Sequence, residues 1–448
     1  MLVKTLLFLL VLFPLLVSGQ TNTNNPFSSR GIGETNPLTH SIFGALGNVS
    51  TALIDSAQLN PENPSSYSFL GKGQPIFSIG LASNFSNFKQ DKITSAAHFL
   101  SINHLTLGMA VSKRFGICFG LKPYASTGYQ LQSNQISGKD TLIKDTLNYS
   151  YTGSGGFSNA YFGLAIKLLT HHRHHLSLGS NFGYIFGTNS NEITTTMSTA
   201  TLGGIRDQTL QIKALNIDFG ASYLYRITSD HDLVLGITYT PTQSFSSTYN
   251  NTLIYAGNTK NVLGNDTLQN TTLHGNLKTA SNLSFGFKYD FTKKNKEINN
   301  SNKSPQLQLS GEIKLTDWNT YNNTFSNETF KNTIQYGLGF QFAPHFDFLD
   351  RSKDINLIHR MKYRIGGVYQ TLPWSDQQIQ LTNKAVTFGV GIPIINQFSS
   401  SSINLSCLYG QRWNGLATTL KEDYFSFNIG VNITPASYER WFKKNKID

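Results

Sequence analysis

Cysteine, charge and long hydrophobic runs are all scarce in this chain of 448 residues. Its two cysteines, Cys118 and Cys407, lie far apart and do not make a disulfide framework, so we expect two free thiols. Charged residues are 14% of the chain. The longest apolar run, Leu6 to Val17, is shorter than the roughly 17–25 residues that a helix needs to span a bilayer. A helical membrane protein and a small disulfide-stabilised domain are therefore both disfavoured.

The apolar run has the setting of a secretory signal peptide. Lys4 supplies the positive charge before it, and Val17-Ser18-Gly19 supplies small residues for cleavage before Gln20. We predict a signal peptide over residues 1–19 and a mature chain that crosses an inner membrane. A single transmembrane helix is the alternative, and the length of the run argues against it.

Aromatic residues are abundant, with 31 Phe and 20 Tyr, and they fall into alternating patterns. In residues 424–434, Phe425, Phe427 and Ile429 share one face, while Ser426 and Asn428 share the other. A period of two indicates an extended strand. Because the apolar face is uniformly large and the other is small and polar, the pattern is typical of a transmembrane strand with lipid outside and a polar lumen inside.

About 14 such segments follow one another between residues 75 and 434. Short connections at 112–115, 170–174 and 228–232 alternate with long polar stretches near 130–150, 188–208 and 249–272. We therefore predict an all-β fold, an antiparallel barrel of the outer membrane with periplasmic short turns and extracellular loops. Two soluble domains or a soluble β-sandwich are alternatives, although strands of such length and regularity are unusual in a sandwich. Glycines on the polar face, such as Gly389 and Gly391, would allow an internal segment to approach the wall closely.

Residues 20–74 do not alternate and are rich in glycine, small residues and turn signals. They contain Pro26 to Gly33, a small-residue stretch over 44–56, and Asn60-Pro61. A loose leader is one interpretation. The small apolar residues favour instead a compact segment packed in the lumen.

This segment resembles the N-terminal hatch of the FadL/TodX family of outer-membrane transporters. The resemblance rests on a hatch motif at Gly44, Gly47, Ala52, Asp55, Asn60 and Pro61. It implies a 14-stranded barrel of residues 75–434, closed from inside by residues 20–74. Glu62 departs from the family, which often has alanine after Asn-Pro.

A narrower resemblance is to FadL-like proteins of Bacteroidetes. Pro26 to Gly33 approximates their first motif, and the basic tail of 435–448 contains Arg440, Trp441, Phe442, Lys443 and Lys444. The tail is either a solvated periplasmic end or a docking patch, since aromatic residues and arginine anchor interfaces.

Two functions remain open. The resemblance implies either an accessory plug at the periplasmic side of a type 9 protein secretion translocon, which we favour from the sequence, or a passive transporter of hydrophobic compounds. The expected partners are outer-membrane lipid or lipopolysaccharide, and for the plug a giant translocon barrel.

Other chemistry is weakly indicated. His171, His172, His174 and His175 form a cluster, but neighbouring strand residues point to opposite faces, which favours a solvated turn over a metal site. The net charge of +11 collects in turns and in the tail, so we expect no nucleic acid partner. Without a nucleophile elbow or a phosphate loop, we expect no enzyme activity, no cofactor and no metal.

Overall fold

A computed structural model describes most of the chain. The described residues are 23–35, 40–72, 74–137, 145–197, 202–257, 266–292, 305–345, 356–376, 378–394 and 401–434. The predicted signal peptide and the basic tail of 435–448 lie outside them.

The fold is a closed barrel of 14 antiparallel strands, which confirms the predicted fold class. The strands are β1 (Ile76–Gln90), β2 (Ile93–Ala110), β3 (Phe115–Ser137), β4 (Asp145–His171), β5 (His174–Met197), β6 (Leu202–Arg226), β7 (His231–Thr240 and Ser244–Gly257), β8 (Asp266–Lys278 and Ser281–Thr292), β9 (Gln306–Asp317), β10 (Thr333–Ala343), β11 (Lys362–Asp376), β12 (Ile379–Pro393), β13 (Ser402–Trp413) and β14 (Lys421–Ile433). Each strand pairs with the next, and β14 pairs with β1 from Lys421↔Lys89 to Ile433↔Phe77, which closes the barrel. The lower end is the end where β1 begins.

A belt of large apolar side chains surrounds the outside of the barrel. Every strand contributes at least one exposed member: Phe77, Leu105, Phe119, Leu168, Phe182, Phe219, Ile237, Phe285, Ile313, Leu338, Ile365, Phe388, Tyr409 and Phe425. Inward neighbours such as Asn428 and Ser406 are buried and polar. Only lipid makes such a belt favourable on a closed barrel, so this is an outer-membrane barrel, as predicted.

The predicted long loops are mostly strand, which corrects the sequence analysis. Strands β3 to β6 have 23, 27, 24 and 25 residues, and they continue as paired hairpins through 130–137, 145–150, 188–197 and 202–208. At about 3.3 Å per residue they span about 75–90 Å, far more than the 9–11 residues a membrane strand needs. Together with the first part of β8 and the second part of β7, they form a six-stranded extension above the membrane belt.

The extension reverses the two faces of the sheet. Its inner face carries a buried apolar cluster that includes Phe157, Ile185, Ile212, Phe245 and Leu277. Its outer face exposes polar side chains such as Gln211 and Lys213. Water rather than lipid surrounds this part, so the apolar face turns inward. Because the outward-facing residues of these strands are polar, their composition is like that of loops, and the sequence analysis interpreted them as loops.

The cysteines and the shortest turns follow the predictions. Cys118 is buried beside Tyr161, Cys407 is half-buried, and both are free thiols. The turn after β4 is closed by the pair His171↔His174. None of the described helices is long and apolar enough to span a bilayer.

The N-terminal segment, residues 23–72, lies against the inner wall. It contains a 3-10 helix at Pro26–Ser29, the helix α1 (Ser41–Ala45) and a 3-10 helix at Pro64–Phe69. α1 contacts β12, β13 and β14, and Pro64–Phe69 contacts β3 to β6. Between them, Gly47 approaches β10 and β11, and Thr51 approaches β7 and β8. The segment thus runs once around the wall, in descending strand order.

Candidate functional site

The hatch-motif residues all lie where the N-terminal segment meets the wall. Gly47 has a φ of +67°, and a Cβ there would overlap the carbonyl oxygens of Gly367 and Leu338. Only glycine fits this position. A Cβ on Gly44 would lie 3.3 Å from the side chains of Asn428 and Ser406, and Ala52 is fully buried.

Asn60 and Pro61 hold the turn of the N-terminal segment. The Asn60 amide donates to the carbonyl oxygens of Ser50 at 2.7 Å and Leu53 at 2.9 Å. Its side-chain oxygen accepts from the backbone N–H of Glu62 at 3.1 Å. The carbonyl of Pro61 accepts from Asn181 of β5 at 3.1 Å. This buried asparagine therefore satisfies backbone groups that have no strand or helix partner.

Charged side chains of the wall bind the backbone of the same segment. The Glu312 carboxylate of β9 accepts from the backbone N–H groups of Ser50 at 2.6 Å and Thr51 at 2.8 Å. Lys288 of β8 donates to the carbonyl of Ile54 at 3.0 Å. Charge-assisted hydrogen bonds are the strong ones, so these contacts fix the segment across β8 and β9.

Asp55, the last hatch-motif residue, forms a longer ion pair with Lys362 of β11. The carboxylate and ammonium are 3.7 Å apart, and 31% of the Asp55 side chain is exposed. Because exposed pairs contribute little, this contact orients the segment more than it stabilises it.

A gap interrupts the wall between β2 and β3. The two strands pair only from Leu105↔Leu121 to Ala110↔Gly116, although β2 continues up to Ile93 and β3 up to Ser137. Two irregularities mark the start of the gap. The register of β1 and β2 shifts between Gly80 and Leu81, opposite Asn103, and that of β3 and β4 shifts around Tyr124. Above this point the wall has an opening on its side.

The N-terminal segment covers part of the free edge of β3. Glu34 and Thr35 pair with Ser126 and Ala125 as a short antiparallel strand. Higher up, the backbone N–H of Asn25 donates to the carbonyl of Gly128 at 2.7 Å. Pro123, which lacks an N–H, sits where β3 loses its neighbour, as prolines in sheets do.

A cavity of about 300 Å³ lies above the segment and reaches the gap. Asn103 and His104 line it from β2, and Lys122, Pro123 and Tyr124 line it from β3. Its other walls carry aromatic rings, namely Trp318, Tyr321, Phe330, Trp374 and Tyr424, and charged groups, namely Arg30, Glu34, Glu62, Glu312, Lys314 and Arg412. Burial, and then the nearby Glu328 carboxylate, raise the pKa of Tyr321, which keeps its phenol protonated.

The ion pair of Glu62 and Lys122 joins the segment to the edge of the gap. The Lys122 ammonium is 2.8 Å from the Glu62 carboxylate, whose side chain is 40% exposed toward the lumen. Enclosure by protein acts to raise the pKa of Glu62, but the Lys122 ammonium outweighs it and lowers the pKa. The residue that departs from the family pattern thus has a partner in the wall.

A second ion pair fixes the upper part of the segment. Arg412 of β13 is 2.8 Å from Glu34 and 3.3 Å from Glu422. Glu422 is buried and the other two are largely enclosed, and such charges are tolerated because they are mutually paired.

Sequence reasoning missed the gap, the wall anchors and both ion pairs. Two signals pointed to them: Pro123, a proline within one of the alternating segments, and the unusual Glu62. The docking residues Arg440, Trp441, Phe442, Lys443 and Lys444 lie outside the described residues. Among the described residues, no group of three metal-ligating side chains occurs, the His171–His175 turn included.

Comparisons with known proteins place this geometry among known folds. A model of the BamG family matches residues 1–448. No curated protein matches the chain in a sequence comparison.

Solved structures share the fold at low identity. Two crystal structures of the Pseudomonas putida toluene transporter TodX match: one at 14% identity and a TM-score of 0.51, covering 88% of this chain and 98% of that chain, the other at 13% and 0.50, covering 90% and 99%. A Pseudomonas aeruginosa FadL homologue matches at 11% and 0.49, covering 90% and 99%. The two TodX matches show a shared barrel fold, and at such identities they show nothing about ligands.

Proposed function

The chain belongs to the BamG family and has a FadL-type outer-membrane barrel, and on this premise we propose that it is a passive conduit for small molecules. A ligand enters the cavity from the upper end and leaves sideways between β2 and β3 into the membrane. The N-terminal segment acts as the hatch that keeps the axial path shut. Such a route suits molecules with an apolar part, because they end in lipid.

One observation carries this proposal. The cavity is lined from both sides of the gap, by Asn103 and His104 of β2 and by Lys122 to Tyr124 of β3. An axial route is opposed by the tight fit of the segment, in which Ala45, Val49, Ala52 and Tyr67 are fully buried. The side opening is therefore the shorter path out of the cavity.

Cross-linking across the gap tests the route. In a background without Cys118 and Cys407, Asn103→Cys and Tyr124→Cys are joined by a short bis-maleimide in host cells that carry the protein in the outer membrane. Uptake of radiolabelled toluene, benzyl alcohol and benzoate is then compared with that of uncross-linked and vector-only cells. We expect the cross-link to reduce the protein-dependent uptake of at least one compound to the vector level.

A matched pair controls for the cross-link itself. Leu107 and Phe119 face each other in the paired part of β2 and β3. Cross-linking Leu107→Cys to Phe119→Cys bridges strands that are already joined, so uptake should persist. Equal uptake with and without the Asn103–Tyr124 cross-link would contradict the lateral route.

The accessory role at a type 9 secretion translocon stays a prediction. It depends on the tail of 435–448, which lies outside the described residues. A pull-down in mild detergent tests it. Recovery of a giant barrel with the full chain, lost when the chain ends after Pro435, would favour that role over the conduit.

A further inference from the structure

We propose that the cavity selects small aromatic carboxylates and that Lys314 of β9, facing Lys122, binds their carboxylate group. This inference rests on the proposed conduit and specifies the ligand that it takes. It follows from the balance of charges in the cavity and from the rings around them.

Each of the three carboxylates that line the cavity already has a hydrogen-bond or ion-pair partner within the protein. Glu312 accepts two backbone N–H groups of the N-terminal segment. Glu34 is paired with Arg412, and Glu62 with Lys122. A cationic ligand would have to compete with these contacts for the carboxylates, so the cavity does not favour a cationic ligand.

Two of the positively charged side chains that line the cavity have no such ion-pair partner among the described residues. Among the described residues, neither Lys314 nor Arg30 has an ion-pair partner, and both line the cavity. Lys314 follows Glu312 by two residues on β9, so its side chain points into the lumen. It lines the same cavity as Glu62 and Lys122, from β9 on the wall that faces β3 across the lumen.

A carboxylate between Lys314 and Lys122 would complete this arrangement. Lys122 is held in place by Glu62 at 2.8 Å, and it can share its remaining N–H donors. Charge-assisted bonds from two ammonium groups make a carboxylate a better ligand than a hydroxyl. A hydrocarbon would displace water from these charged groups without forming hydrogen bonds to them, which is unfavourable.

The rings above Lys314 give the ligand its apolar part. Trp318, Tyr321 and Phe330 pack against one another with ring centroids 5.0–5.7 Å apart. Trp374 stacks on Phe27 at 5.5 Å and lines the same space. Aromatic rings prefer such neighbours. A cavity of about 300 Å³ admits a single substituted ring more readily than a long chain.

Binding of a matched series tests the charge preference. Benzoate, benzyl alcohol and benzylamine share one ring and differ in charge. Their binding to the purified full chain in detergent is measured by calorimetry at neutral pH and low salt. We expect benzoate to bind at least about tenfold more tightly than benzyl alcohol, as charge-assisted bonds imply. Benzylamine should bind most weakly, and salt should weaken benzoate most.

Two lysine variants assign the site. Lys314→Gln keeps a similar size and should remove most of the preference for benzoate, leaving benzyl alcohol unchanged. Lys213→Gln, on the exposed outer face of β6, should change neither. Equal affinity for benzoate and benzyl alcohol, or a benzoate preference that survives Lys314→Gln, would overturn the proposal.

This measurement is independent of the route. If benzoate binds through Lys314 but the gap cross-link leaves all uptake unchanged, the conduit fails and the anion site stands. If the cross-link blocks uptake while the three compounds bind alike, the conduit stands and the anion site fails.

Discussion

Ala45 of the N-terminal segment lies directly against Gly389 of β12, so that a side chain on Gly389 would overlap the Ala45 methyl group and come within 2.7 Å of the Leu405 carbonyl oxygen. This contact explains why glycine recurs on the inner face of the wall. The segment therefore packs directly against the backbone of the barrel strands.

Gly389→Val should therefore loosen the segment. Overpacking a close contact costs about 1–3 kcal/mol, and here the segment can move away from the wall more easily than the strand can. We expect faster proteolysis within residues 40–72 and a lower midpoint of urea unfolding in detergent. Gly204→Val is the control, because nothing lies within 4 Å of that position. A larger loss for Gly204→Val would contradict the fit described here.

Glu312→Gln should weaken the anchor on Ser50 and Thr51. Hydrogen bonds to a charged group contribute about 1.5–3 kcal/mol each, and a neutral amide retains part of that. We expect small-solute leakage through the barrel to rise in liposome swelling assays, because in the proposed function the segment closes the axial path. Glu192→Gln, at an exposed position of β5, should not leak. Equal leakage for the two variants would show that Glu312 does not anchor the segment.

Phe427→Arg should destabilise the barrel by about 2–4 kcal/mol, because lipid near the membrane centre cannot solvate the charge. Ile433→Arg, at the lower end of β14, should cost only about 0–1 kcal/mol, since the side chain can reach the interface. Refolding into liposomes at graded urea concentrations measures both. Similar costs at the two positions would show that the belt is placed wrongly along the strand.

Orientation is tested by labelling intact cells. In the cysteine-free background, Ser133→Cys in the extension should react with a membrane-impermeant maleimide, whereas His172→Cys in the lower turn should react only after lysis. Both positions are exposed, so access rather than burial decides the result. Labelling of His172→Cys on intact cells would invert the predicted topology.

The alternation of residues decided much of this fold without tertiary information. A strand has two faces, and residues such as Phe425 and Asn428 record which solvent each face meets, so strand number, barrel closure and the lipid-facing side were predictable. The same reasoning failed where solvent changed along one strand. In β6, Ile212 turns inward while Gln211 and Lys213 face outward, and only the pairing of β5 with β6 shows that residues 188–197 and 202–208 are strand.

The site was decided by tertiary structure alone. Nothing local to Glu62, Lys122 or Lys314 reveals that they share a cavity, because their proximity depends on the segment running around the wall and on β9 facing β3 across the lumen. The gap likewise depends on which strand edges meet, and a sequence records the preferences of one strand and not its register with another. Pro123 indicates that an edge exists, whereas the fold decides what lies beside it.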